Sequence, residues 1–220
     1  MSLSKRELHP YFAVTTKRYM TLVGLFAVLL SGCDGVTGSG QQAIYHVSSE
    51  KEVSPSDADM QVLINRFRTL PGSLSTRVKA SEREGQSYIT VENAAFADPV
   101  ANCVARHVGK MEIYSIDPAA AWLGQSDVER VEADENEGYY FLNFSIDDGA
   151  VERFTRLTSE HVGERLTVSV DNEVITKAQI QAALGKRFRL TIDEKGQAQC
   201  LAAVLSNGML SQSYRLVRQP

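Results

Sequence analysis

The chain of 220 residues is predicted to adopt an α+β fold. Two observations carry that expectation. Short runs rich in β-branched and aromatic residues alternate with longer runs whose apolar residues recur at helical spacing. Two of the strand-like pairs are joined by hairpin signals, one around Ser81–Gly85 and one at Asp171-Asn172.

In chain order, Ala43–Val47 reads as a strand. Ser56 or Asp57 caps a helix in which Met60, Leu63, Ile64, Phe67 and Leu70 recur at helical spacing, and Pro71-Gly72 stops it. The runs "LSTRVKA" and "QSYITVEN" read as strands. Asp98-Pro99 opens a helix that Gly109 closes, and "KMEIYSI" is a strand. The order over residues 43–117 is β-α-β-β-α-β, a ferredoxin-like arrangement. Residues 118–138 hold six acidic residues between Asp127 and Glu137 and read as a solvated linker containing one short strand or helix. Carboxylates in such a run lack the fixed geometry of a metal site, so no metal is expected there.

From 139 to 220 a second small α+β unit is expected. "YYFLNFSID" is a strand. Asp147 or Asp148 caps a helix with Val151, Phe154, Leu157 and Val162 on one face, and Gly163 stops it. "RLTVSV" and "EVIT" flank Asp171-Asn172. Thr176 caps a short helix over 177–184. "RFRLTI" is a strand, the following helix ends at Gly208, and "MLSQSYRLV" returns as a strand.

The N-terminal region has its own logic. Lys17 and Arg18 precede a short apolar run, Thr21–Leu30, well short of the roughly 20 residues a spanning helix needs. Leu30-Ser31-Gly32-Cys33 then resembles a bacterial lipobox. Small residues let the chain enter a peptidase groove, and the thiol of Cys33 takes the lipid. Residues 1–32 are thus read as a lipoprotein signal peptide and residues 33–42 as a lipidated, Gly/Ser-rich tether. Either Met1 or Met20 can be the start. Asp34, next to the lipidated cysteine, resembles a sorting signal that keeps a lipoprotein at the periplasmic face of the inner membrane, with the outer membrane as the alternative.

Residues 1–32 carry Lys5, Arg6, Lys17 and Arg18 against Glu7, net +3, so their removal takes the chain from −4 to −7. Such an acidic chain does not favour nucleic acid or anionic headgroups. The acyl anchor is the expected membrane attachment, and the remaining length suits one or two small domains. With Cys33 lipidated, Cys103 and Cys200 remain. A disulfide between them is disfavoured, because each falls on the apolar side of a helix in a separate unit and a free cysteine packs well there.

The stretch from Gly149 to Leu210 resembles the head of the first periplasmic domain of SecD, part of the SecDF protein-export factor. The shared features are an aromatic-bearing helix, Thr158 followed by Val162-Gly163, an apolar strand, an Asp-led turn at Asp171, and "LAAVLSNGML" with Gly208. The first half is similar to the ferredoxin-like base of the same domain through its element order and "ITVENAAFADP". The turn here is Asp171-Asn172 where the family usually has Asp-Gly, and Lys177-Ala178 stands where it usually has a proline. The family's proton-driven transmembrane helices find no counterpart here, so what the resemblance implies stops at periplasmic contacts.

Catalysis finds little support. HExxH, GxSxG and Gly-rich phosphate loops are missing. Of the histidines, His9 leaves with the signal, His46 sits at a strand end and His161 lies inside the Thr158–Gly163 motif. His107 follows Cys103 by four residues, which can mimic a nucleophile and base, but reads as a surface histidine beside an interior cysteine. No catalytic residue and no cofactor is expected. The resulting expectation is a non-catalytic module, accessory to protein export, that binds extended polypeptide or a partner protein of the envelope. The alternative is a structural lipoprotein docked on an envelope complex without a client.

Overall fold

The computed structural model describes residues 42–70, 76–94, 96–116 and 120–220. The signal peptide, Cys33, Asp34, nearly all of the tether and the Pro71-Gly72 stop lie outside them. Along the chain run β1 (Ala43–Ser48), α1 (Asp57–Thr69), β2 (Arg77–Arg83), β3 (Gln86–Glu92), α2 (Asp98–Arg106), β4 (Met111–Tyr114), β5 (Leu123–Gly124) and β6 (Val128–Asn136). Then follow β7 (Tyr139–Ile146), α3 (Asp148–Glu160), β8 (Arg165–Val170), β9 (Glu173–Gln179), β10 (Arg187–Ile192), α4 (Lys195–Ser206) and β11 (Arg215–Arg218). The expected α+β class is what forms: among the described residues, four α-helices lie with three antiparallel sheets.

The helix caps match the residue chemistry. Ser56 Oγ accepts the Asp59 N–H at 3.1 Å, and Asp147 Oδ1 accepts the Gly149 N–H at 2.8 Å. Asp171 and Asn172 take φ of 53° and 66°, the left-handed pair that a tight two-residue hairpin turn between β8 and β9 requires.

The first sheet has the order β11-β1-β3-β2, with β1 antiparallel to both neighbours. The ferredoxin-like base is therefore closed by the C-terminal strand, not by Met111–Tyr114. Burial explains the exchange. In β11 only Leu216 is buried, as suits an edge. In β4 Met111, Ile113 and Tyr114 are all buried, so it needs cover on both faces. It finds that in the sheet β5-β4-β8-β9, where Met111 stands opposite Val170. The third sheet is β10-β7-β6. The second unit is thus inserted between α2 and β11 rather than appended.

Three further expectations are corrected. The acidic stretch is not a linker. Val128–Asn136 is a nine-residue strand paired with β7 along its length. Its acids have partners: Asp134 with Arg189 at 3.2 Å and Glu135 with Lys195 at 2.7 Å. Val131 exchanges hydrogen bonds with Ser206 Oγ at 2.9 and 2.7 Å, which ties the strand to the end of α4. No helix forms over 177–184, because β9 runs on to Gln179. Val162 lies beyond the end of α3 and is 52% exposed, while Phe154 is fully buried.

The described residues belong to one unit with a continuous apolar core. Tyr45, Leu63, Phe67 and Ile89 fill the base, and Phe144, Phe154 and Phe188 stack beneath the third sheet. Helix α4 joins the two, burying Cys200, Leu201, Val204 and Leu205.

Candidate functional site

Where α2 meets α4, the chain makes the contact the sequence reading disfavoured. Cys103 and Cys200 form a disulfide with their Cα atoms 6.0 Å apart. Placing the two helices in separate domains made this contact invisible. In the tertiary structure their apolar sides face each other, close enough that a Cβ on Gly196 would touch Val100 Cγ2 at 3.4 Å.

The bridge lies beside a groove of about 230 Å³. Val100, Cys103, Ile175 and Leu201 give it an apolar floor, and Arg106, Glu173 and Glu194 stand around it. Ile175 arrives there through a bulge. In the pairing of β8 with β9, Val168 faces Thr176 and Ser169 faces Val174, which leaves Ile175 as the extra residue. An extra residue bends a strand and re-aims its side chain. Strand β9 is also the terminal strand of its sheet, and Val174 on it is 47% exposed. The groove therefore adjoins an open sheet edge, where backbone N–H and C=O groups can receive another strand.

The segment that follows α2 is held by Asp171. Asp171 Oδ1 accepts the N–H groups of Gly109 and Lys110, each at 2.9 Å, and Oδ2 lies 3.0 Å from His107 Nδ1. A carboxylate only accepts, so Nδ1 carries the proton. Burial alone would raise the Asp171 carboxyl, but these donors outweigh it and hold it below the ordinary range. His107 is thus a buried partner of Asp171 and not a surface histidine.

Arg66 enters from the other side. It is fully buried and donates to the carbonyls of Val104, His107, Val108 and Gly208 at 2.7, 2.5, 2.8 and 2.7 Å. Desolvation lowers it to about 10, opposed by the charges of Asp171 and Asp59, so the guanidinium stays cationic at neutral pH. Gly109 must be small here. Its φ is +100°, and a Cβ would lie 2.8 Å from Arg66 Nη2. Asp59 is also buried; it accepts the Ser211 N–H at 2.8 Å and the Tyr214 hydroxyl at 2.7 Å, and receives the Ser211 hydroxyl as well. Burial pushes its carboxyl up, but these donors bring it below the usual carboxylate range. Neither Asp59 nor Arg66 was singled out from the sequence. The signal was present: 59, 63, 66 and 70 share one stripe of α1, so two charged residues lie on its core face.

The structure thus brings Asp171 and Gly208 together around residues 107–110. Thr158 and Gly163 form a second cluster. Thr158 Oγ1 accepts the Leu184 N–H at 2.9 Å, and the Gly163 N–H donates to Ile180 O at 2.8 Å. Both bonds fix the segment leading into β10. Val162 joins neither group. Among the described residues, no set of three or more His, Cys, Asp or Glu could hold a metal ion.

Residues 120–212 match the family described as SecDF, P1 head subdomain. Over 109 residues, 49% of this chain, the sequence is 25% identical to the protein translocase subunit SecD of Aquifex aeolicus (strain VF5), and the match covers 22% of that protein. The chain therefore spans about a fifth of the curated relative's length. Two solved structures share the fold at 16% identity. One is of SecDF, a membrane component that enhances protein export, with a TM-score of 0.52 over 82% of this chain and 99% of that chain. The other is SecDF in a super-membrane-facing form, with a TM-score of 0.54 over 80% of this chain and 29% of that chain. Residues 120–212 thus resemble the head of a SecDF periplasmic domain, and the described residues share the fold of the two solved structures. Thr158, Val162, Gly163, Asp171 and Gly208 all lie within the matched segment, whereas Arg66, His107 and Cys103 precede it.

Proposed function

We propose that this chain is a non-catalytic binding module, associated with protein export, that holds extended polypeptide at the periplasmic face of the inner membrane. Cys33 carries its lipid anchor, and Asp34 retains it in that membrane. The observation that carries the reading is the pairing of an open strand edge, β9, with an apolar groove beside it. An extended chain can pair its backbone with β9 and place alternate side chains over Ile175 and Leu201. The likeness to SecD supports export as the setting. Among the described residues no helix is long and apolar enough to cross a membrane.

A photo-reactive amino acid at Val174 or Gln197 tests the reading in living cells. Newly made secreted chains should crosslink at both positions and not at Tyr139, which starts β7 away from the groove. Equal crosslinking from Tyr139 would remove the groove from the account. A single, stoichiometric envelope protein captured at all three positions would instead identify a docking subunit without a client.

A further inference from the structure

We infer that the Cys103–Cys200 disulfide is the clasp that shapes the binding groove, so that polypeptide is held only by the oxidised protein. The inference rests on the reading of the groove as a polypeptide site. Four observations carry it. The bridge joins the groove's two helical walls, α2 and α4, across 97 positions of sequence. Cys103 itself lines the groove, next to Val100 and Leu201.

Away from the bridge α2 meets α4 through apolar packing around Val100, and its polar ties run to other elements. At its start Asp98 accepts the Tyr45 hydroxyl at 2.8 Å and Arg218 Nη1 at 3.2 Å. Beyond its end, Asp171 and Arg66 hold residues 107–110. These polar contacts keep α2 in the base when the bridge is gone. The covalent tie fixes the helix's middle, and with it the spacing of Val100 and Leu201. Losing the bridge should therefore loosen the groove while the fold persists.

The chemistry of opening is asymmetric. Cys200 is fully buried, whereas Cys103 is half-buried on the groove. A dithiol reductant attacks Cys103 Sγ through its thiolate. The Cys103–Cys200 bond breaks, a mixed disulfide forms on Cys103, and Cys200 leaves as the thiolate and takes a proton. The reductant's second thiol then displaces Cys103. Two electrons and two protons pass to the protein, which ends with two thiols, and the reductant ends as a disulfide. The leaving sulfur is enclosed among Leu201, Val204 and other apolar residues, which disfavours its anionic form and keeps the clasp closed in an oxidising compartment.

The test uses the full chain in detergent and a fluorescent, reduced and carboxymethylated lactalbumin as a permanently unfolded probe. Oxidised protein should bind it at least about tenfold more tightly than dithiol-reduced protein or the Cys103→Ala/Cys200→Ala variant, all three giving the same far-ultraviolet circular dichroism. Equal affinity in the three forms overturns the clasp and leaves the groove reading intact. Ile175→Glu, with the bridge present, separates the two: if it binds as tightly as the oxidised wild type, the groove reading falls and the clasp with it. Loss of the folded spectrum on reduction also overturns the inference, since the bridge would then be a requirement of the whole fold.

Discussion

Replacing Cys103 and Cys200 together by alanine removes a cross-link between residues 97 positions apart. A loop of that size restricts the unfolded chain by about 4–5 kcal/mol in the loop-closure treatment. Alanine keeps each helix intact and leaves only a sulfur-sized gap, so the cross-link dominates the change. For a folded unit of this length, each kcal/mol moves the melting temperature by roughly 2–4 °C, which gives a fall of about 10–20 °C. The polar anchors at both ends of α2 remain, so the variant should still fold at 25 °C. Thermal unfolding followed by circular dichroism, with wild type run oxidised and after dithiol treatment, measures it. Reduced wild type should melt with the alanine variant. A shift under about 3 °C would refute the reasoning, because it would mean that the unfolded chain gains little freedom from the cut.

Arg66→Met should destabilise by about 2–3 kcal/mol in urea titrations, since it removes the Arg66 donors from the buried carbonyls of Val104 and His107 and unties Gly208; Gln at 66, which restores donors, should recover part of the loss. Acid should unfold the protein through Asp59 and Asp171. Both carboxyls are held below their ordinary values, so their stabilisation is complete above about pH 4 and is lost as pH falls through the folded-state values. Asp171→Asn should flatten that acid limb while lowering stability at pH 7, and an unchanged limb would exclude Asp171 from it. Cys33→Ser should abolish labelling by a palmitate analogue, and Asp34→Ser should move the lipidated protein towards the outer membrane on sucrose gradients.

Much of the secondary structure was legible in the residues. Ser56 and Asp147 are good caps, Asp171-Asn172 accepts positive φ, and the alternation in "YYFLNFSI" and "RFRLTI" allows few readings. These are local decisions, made within one or two turns of chain. The resemblance of Thr158, Gly163, Asp171 and Gly208 to a SecD head was also legible, and each of the four makes or permits a specific backbone contact. The acidic strand misled for a local reason: Glu and Asp disfavour strands in isolation. Here Lys195 and Arg189, about 60 and 55 residues away, neutralise them.

By itself the sequence determined the α+β class, the order of most elements and the residues of the head motif, because propensity, capping and turn geometry act between near neighbours. Only the tertiary structure decided which strand closes the base, which buried groups Arg66 and Asp59 serve, and that Cys103 meets Cys200. Each of those is a choice among partners far apart in the chain. β4 and β11 carry similar local signals, and burial on both faces of one but not the other settles which sheet each joins. Two cysteines on apolar helix faces pair or stay apart according to whether those faces meet, and that is set by the return of β11 to β1, which folds the inserted unit back onto the base and lays α4 along α2.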